Sequence, residues 1–338
     1  MRKQIIPTIW VNFDSEFKKL LYSFNENNID MVRINCTRHS IDEYIRDLST
    51  LKEVYYSYIG KDIKLLLDIP VPNYKARVEY DWLGKEIYAE KGNTTYLTSN
   101  KSLIKKNNSY LCVSEKAIIN EIKESDIITF GEDNPKFTVQ RKNGEIVEML
   151  CISDGVIPYG KYFTTNDIKF YKSPDSKLDE YRRLIAEVSP SVVALSFVSS
   201  ARDIVETINK LEIKSDVEIM SKIESQEGVR NIEEILSVTN SVMIARGDLL
   251  ISSGVEEFAH NIKRIEDLCN SNNIPFYVAT GILESVISLD SNPTRAEIID
   301  LYNIMRSNAE GLVLEYSKCK TASIFKHVSN LISNIKVK

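Results

Sequence analysis

Short apolar runs rich in strand-forming residues alternate with amphipathic helical stretches along most of this chain, and that alternation restricts its fold most. The runs are IIPTIW near residues 5–10, DMVRINC at 30–36, IKLLLDI at 63–69, SVVALSFV at 191–198, VEIMSKIE at 217–224, SVMIARGD at 241–248, IPFYVAT at 274–280 and EGLVLE at 310–315. Helical patterns such as FKKLLYSFNENN, SARDIVETINKLEI, VEEFAHNIKRIEDLCNSNN and RAEIIDLYNIMRS lie between them, and a last helix is predicted over about 320–335. Strands separated by helices pair in parallel through right-handed crossovers. Eight of them close an α/β fold, the (β/α)8 barrel, which builds its sites at the C-terminal strand ends.

One segment breaks the rhythm. Residues 78–167 carry short runs (TTYLT, SYLCV, DIITF, KFTVQ, EIVEML) punctuated by Lys142-Asn143-Gly144 and Asp154-Gly155, pairs that mark hairpins. The expected organisation is a barrel from residues 1–77 and 168–338, with a small all-β domain, 78–167, inserted after strand 3. An insertion there can close over the mouth as a lid; the plainer alternative is a tolerated surface insertion.

Composition removes several function classes. The chain of 338 residues is 43% hydrophobic and 27% charged, as ordinary globular proteins are. A net charge of −5 gives no basic footprint for nucleic acid. No apolar run approaches the roughly 20 residues that span a bilayer, and the N-terminus does not read as a signal peptide. Five scattered cysteines without a CxxC pair fit a reduced, cytoplasmic setting, and three histidines show no metal spacing.

The strand ends collect polar residues. Lys222 and Glu224 sit two apart and therefore project to one face of an extended strand, as do Arg33, Asn35 and Thr37. Strand 3 ends in Asp68, strand 4 in Ser196, strand 6 in Arg246-Gly247-Asp248, strand 7 in Thr280 and strand 8 in Glu315. Any one alone reads as a satisfied core group; together they read as a site. Glu224 and Asp248 suit a divalent metal with oxygen ligands. Lys222 and Arg33 suit a doubly negative oxyanion or phosphoryl group, and the Gly247-Asp248 amides suit an anion nest at a helix N-terminus. Phosphoryl transfer or metal-stabilised enolate chemistry fits this inventory better than acyl or hydride transfer.

At this point the chain resembles the pyruvate kinase family. SKIESQEGVRNIEEIL, VMIARGDL, LCNSNNIPFYVATGILESVI and NPTRAEIIDLYN are similar to its signatures nearly word for word, and MVRINCTRH and LLLD more weakly. The resemblance spans essentially the whole chain and implies a TIM barrel with a β-barrel lid. It implies Lys222 as the lysine that stabilises the phosphoryl in flight and the enolate, and Glu224 and Asp248 as Mg2+ or Mn2+ ligands. Ala245, Arg246 and Gly247 would lie beside the metal and substrate carboxylate, Thr280 near the carbon that gains a proton, and Arg33 on the phosphoryl. Asn35, Thr37 and Asp68 would form a monovalent-cation site for K+, and Arg33, Lys75 and Lys161 would handle a nucleotide. The implied partners are phosphoenolpyruvate or a pyruvate-like acid and ADP or ATP, with a homodimer through the barrel as the assembly left open.

The departures matter as much. The loop after strand 1, G-P-A-S in the family, is WVNFD here, and the loop after strand 3, D-T-K-G-P-E-I-R in the family, is DIPVPNYK, with Ile69, Pro70 and Lys75 replacing threonine, lysine and arginine. Arg77 substitutes for that arginine if the loop is two residues longer, and the histidine after strand 2 is Arg38 or His39. Thr280-Gly281-Ile282 replaces T-Q-M, and Glu315-Tyr316-Ser317 replaces S-G-E, putting a carboxylate where the family has a hydroxyl. Lysine does not match arginine at a bidentate phosphoryl contact. Only IKVK follows the last helix, so the regulatory domain, its sugar-phosphate effector site and its oligomer contacts are expected to be missing. Three functions stand: a pyruvate kinase-like phosphotransferase; a nucleotide-independent enolate lyase, decarboxylase or aldolase with Glu315 as acid or base; and a degenerate ligand-binding paralogue.

Overall fold

A computed structural model of the chain describes residues 3–37, 39–74, 76–79, 87–104, 110–113, 116–130, 135–157, 162–165, 171–173, 175–318 and 321–336. It divides into two compact units, Met1–Asn73 with Lys172–Lys338, and Tyr74–Tyr171. These divisions fall a few residues outside the expected 78–167.

The first unit is a closed parallel barrel. Its strands are β1 (Gln4–Thr8), β2 (Met31–Asn35), β3 (Lys64–Tyr74), β4 (Val192–Ser196), β5 (Glu218–Ile223), β6 (Ser241–Ala245), β7 (Phe276–Ala279) and β8 (Gly311–Glu315). Each pairs in parallel with the next, and β8 returns to β1 in the register Gln4↔Gly311 through Thr8↔Glu315. Closure brings the chain unusually close at Gly311, where a Cβ would stand 2.3 Å from the Gln4 carbonyl oxygen. Only glycine fits there.

Helices follow the strands and are started by local chemistry. Ser40 and Thr294 each form a capping box, with Glu43 and Glu297, and Ser200 and Ser225 cap the helices after β4 and β5. Their apolar faces and the outer faces of the strands make the main core. A second, smaller cluster of Ile6, Met31, Leu66, Ala194, Met220, Met243 and Val313 fills the barrel interior. Strand alternation then turns the residue two further on inward as well: Thr8, Arg33, Asp68, Ser196, Lys222, Ala245 and Glu315. An apolar layer thus lies beneath a polar one at the C-terminal strand ends, where barrels of this kind place their chemistry.

β6 stops at Ala245, and Arg246-Gly247-Asp248 opens the helix Arg246–Ser271 instead of ending the strand. That helix breaks at Gly254 (φ 72°, ψ 165°), immediately before the helix expected from the VEEFAH pattern.

The second unit is a curled seven-stranded sheet plus a two-stranded pair. Phe130, Phe137, Val139, Val147 and Met149 anchor its core. Asn143-Gly144 makes the expected hairpin between Lys136–Asn143 and Ile146–Cys151. Asp154-Gly155 does not, because Gly155–Ile157 pairs with Ile87–Ala89. Gly155 is there for close approach: a Cβ would meet Pro135 at 2.9 Å. The unit is also not purely β, since Lys116–Glu121 is helical. No helix among the described residues is long and apolar enough to cross a membrane.

Candidate active site

Lys222 stands at the end of β5 with its ammonium 3.1 Å from Asp68 Oδ1, 3.1 Å from Glu224 Oε1 and 3.2 Å from Ser196 Oγ. Two of its N–H groups donate, to Asp68 and Ser196, and Glu224 completes the surroundings as an ion-pair partner. Burial by itself would push this ammonium down, but Asp68 and Glu224 outweigh burial and hold its pKa above the ordinary value. Lys222 is a fixed cation.

Asp68 is the hub on the other side. Its Oδ2 accepts from Arg33 Nε at 2.8 Å and Nη2 at 2.6 Å, and its Oδ1 accepts from Lys222 and Ser196. Burial alone would raise this carboxyl; Lys222 and Arg33 more than reverse that and keep it below its usual range. Arg33 Nη1 also donates to Thr8 Oγ1 at 2.7 Å and lies 3.6 Å from Glu315 Oε2.

Glu224 has the opposite balance. The Phe197 amide donates to its Oε2 at 2.7 Å, yet burial, with Asp248 and Asp68 adding to it, raises its pKa above the ordinary value against the pull of Lys222. A buried carboxylate opposed by a second carboxylate is half of a cation site. A hard divalent cation would reverse the cause of that shift, so Glu224 and Asp248 are the carboxylates whose chemistry suits one. Among the described residues no group of three or more His, Cys, Asp or Glu side chains is placed to hold a metal ion, so these two would supply a pair and not a cage.

The monovalent set does not fit. A carboxylate offers about four lone-pair sites, and all four on Asp68 are taken by Arg33, Lys222 and Ser196. The Thr37 hydroxyl donates to Asn35 Oδ1 at 2.8 Å, turning both groups to each other. Asn35, Thr37 and Asp68 therefore do not assemble as K+ ligands in this arrangement.

Arg246 is held on two sides. Its guanidinium pairs with Asp300 at 2.6 and 2.8 Å, and its Nε and Nη2 donate to the Thr280 carbonyl at 3.0 and 2.7 Å. The side chain braces the loop after β7. The loop needs bracing because Thr280, a β-branched residue, sits at φ 74°, a conformation that costs about 1–3 kcal/mol and persists where surroundings enforce it. Gly247 permits the close approach: a Cβ there would lie 3.0 Å from Thr280 Cγ2 but 3.8 Å from its Oγ1. Gly247→Ala is therefore expected to cost about 1–3 kcal/mol. Adding Thr280→Ser, which deletes only Cγ2, should restore most of that in a thermal-melt double-mutant cycle.

Ala245 is buried at the junction of β6 and its helix, and Asp248 lies in that helix's first turn. Lys75, Lys161 and Arg38 lie outside the described residues. Arg77 belongs to the second unit, where it bridges Tyr162. His39 packs edge-on against Tyr44, 5.5 Å between centroids. Beside it a cavity of about 50 Å³ is lined by Trp10, Asn35, His39, Tyr44 and Asp47 among others.

With this geometry in hand, the comparison with known proteins is direct: the family described as "Pyruvate kinase, barrel domain" matches residues 1–322. The chain belongs to the pyruvate kinase family. It is 28% identical over 322 residues to a pyruvate kinase of Staphylococcus epidermidis, covering 93% of this chain and 53% of that protein. It is 24% identical over 329 residues to plastidial pyruvate kinase 3 of Arabidopsis thaliana, covering 93% and 54%. A pyruvate kinase of Methanocaldococcus jannaschii is 30% identical over 223 residues, 62% of this chain and 49% of that protein. The chain spans about half the length of these pyruvate kinases.

Several groups of this pyruvate kinase barrel carry no sequence signal of their own. Thr8 caps Arg33 from β1. Asp300 comes from the helix Arg295–Arg306, 54 positions from Arg246. Phe197, left-handed at φ 50°, gives its amide to Glu224 while its carbonyl accepts from Asn73 Nδ2 at 2.7 Å. Spacing rules see neighbours along a strand; these partners come from other strands and helices.

Proposed function

We propose that the barrel mouth performs metal-assisted phosphoryl transfer between phosphoenolpyruvate, or a close 2-oxo acid analogue, and a nucleotide. The observation that carries this reading is Lys222, fixed as a cation against Glu224 on one side and Asp68 on the other. In the direction of nucleotide synthesis, a nucleotide phosphate oxygen forms a bond to phosphorus as the bond from phosphorus to the enol oxygen breaks. That oxygen keeps the electron pair as an enolate, and C3 takes a proton to give the 2-oxo acid. Lys222 faces the charge that develops on the transferring group and on the enolate oxygen. Arg33, held by Asp68 and Thr8, presents its remaining N–H groups to the phosphoryl. Thr280, kept in place by Arg246 and Gly247, stands at the protonation end. Mg2+ or Mn2+ held by Glu224 and Asp248 would supply Lewis-acid polarisation of the acid's oxygens.

Family membership supports the phosphotransferase reading, and the lack of a CxxC pair supports a reduced, cytoplasmic setting. A lactate dehydrogenase-coupled assay with phosphoenolpyruvate, Mg2+ and a panel of nucleoside diphosphates should show turnover with at least one of them. With Asp68 saturated, exchanging K+ for tetramethylammonium should leave that rate unchanged. Glu315 beside Arg33 favours a second reading, a nucleotide-independent enolate lyase, decarboxylase or aldolase. Silence with every nucleotide, together with proton exchange at C3 of pyruvate that requires Glu224, would sink the first reading and support the second.

A further inference from the structure

Arg33 carries five N–H groups. Three are committed: Nε and Nη2 to Asp68 Oδ2 at 2.8 and 2.6 Å, and Nη1 to Thr8 Oγ1 at 2.7 Å. On Lys222, two N–H groups donate to Asp68 and Ser196, and Glu224 stands 3.1 Å away as an ion-pair partner. An anion arriving at these strand ends finds two uncommitted N–H groups on Arg33, one on Nη1 and one on Nη2. A carboxylate of the chain already stands there. Glu315 Oε2 lies 3.6 Å from Nη1, with its side chain 42% exposed against 12% for Arg33. The Ser317 hydroxyl donates to the other Glu315 oxygen and pins the group. Arg33 is thus faced by buried Asp68 on one side and by Glu315 towards solvent.

We infer that Glu315 is a specificity-determining residue that sets how much negative charge Arg33 can accept. It favours a singly charged 2-oxo acid carboxylate over a doubly charged phosphoryl ester. The inference rests on the proposal that Arg33 is the anion subsite. Arg33 by itself is faced by two carboxylates, Asp68 and Glu315, so each further negative charge brought to its free N–H groups meets a carboxylate already there. A dianion feels it twice as strongly as a monoanion at the same place, and partial burial limits screening by salt. Neutralising Glu315 removes the imbalance.

The test is a ligand-observed NMR titration of the whole chain, in Mg2+, with phosphoenolpyruvate and separately with pyruvate. Glu315→Gln is expected to tighten phosphoenolpyruvate by about tenfold, the scale of one poorly screened charge contact, while moving pyruvate by less than about threefold. Glu315→Asp, which keeps the charge, should keep the wild-type ratio and checks that the Gln variant's effect is not a repacking one. If Glu315→Gln shifts both affinities in parallel, or weakens both, the inference is wrong. Arg33→Gln separates the two levels. If it weakens both ligands while Glu315→Gln leaves their ratio unchanged, charge selection falls and the anion subsite stands. If Arg33→Gln changes neither, the subsite itself falls, and the inference with it.

Discussion

Lys222→Met is expected to lower the unfolding free energy by about 3–5 kcal/mol, the cost of leaving buried charge without its partner. Methionine keeps most of the stem's volume, so the loss is mainly of charge. It leaves Asp68 to Arg33 alone and strands Glu224, whose side chain is only 4% exposed. Urea unfolding should show the midpoint falling with little change in slope. Lys222→Met with Glu224→Gln leaves Arg33 and Asp68 as a balanced pair, so the double variant should recover at least about 2 kcal/mol. A double variant as unstable as the sum of the singles would mean that packing, not charge, sets the cost. The phosphotransferase assay should be silent in both.

The pH dependence of that difference has a definite sign. Asp68 is a depressed carboxyl: burial would raise it, but Lys222 and Arg33 hold it below its ordinary 3.8. Its contribution is present above 3.8 and is lost as pH falls through the lower folded value. Lys222 is a raised ammonium: burial would lower it, but Asp68 and Glu224 hold it above 10.5. Its contribution is complete below 10.5 and is lost as pH rises through the higher folded value. The stability gap between wild type and Lys222→Met should therefore be widest between these limits and narrow towards both extremes.

What the sequence disclosed and what it hid divide along a physical line. The eight-strand alternation and the i, i+2 placement of Lys222 and Glu224 are local, and the barrel keeps both. Charge partners are not local. Asp68 reads from its strand as a cation ligand, because nothing nearby shows that Arg33, 35 positions away, and Lys222, 154 away, fill its lone pairs. The partner of Arg246 is hidden for the same reason, since Asp300 lies 54 positions further on. Glu315 showed as a polar strand end and as a departure from family pattern; its partner came from β8 closing on β1 and setting it beside Arg33. In a closed barrel, residues far apart in the chain meet at the mouth, so a site's residues are legible before its pairings are.

Glu224→Gln is expected to move stability and metal binding in opposite directions. Glu224 is a carboxyl raised by burial and by Asp248, with Lys222 only partly offsetting them. The folded protein therefore holds a proton that the unfolded chain releases, and stability falls as pH rises from the ordinary 4.5 through the folded value. Glutamine removes that slope, and its amide oxygen can still accept from the Phe197 amide. In EDTA at neutral pH the variant should be about 1 kcal/mol more stable than wild type, consistent with the gain from neutralising an unfavourable buried charge. With Mn2+ the order should reverse. Ligand at a hundred times its dissociation constant stabilises wild type by about 2.7 kcal/mol, whereas the variant, with one of two carboxylates gone, should bind about 100-fold more weakly and gain almost nothing. Paired melts with EDTA and Mn2+, and Mn2+ titration by electron paramagnetic resonance, measure both sides. If the variant is the less stable protein in EDTA, Lys222 rather than a divalent cation is the partner that Glu224 serves. If Mn2+ stabilises both equally, the metal sits elsewhere, and Glu224 and Asp248 are not its ligands.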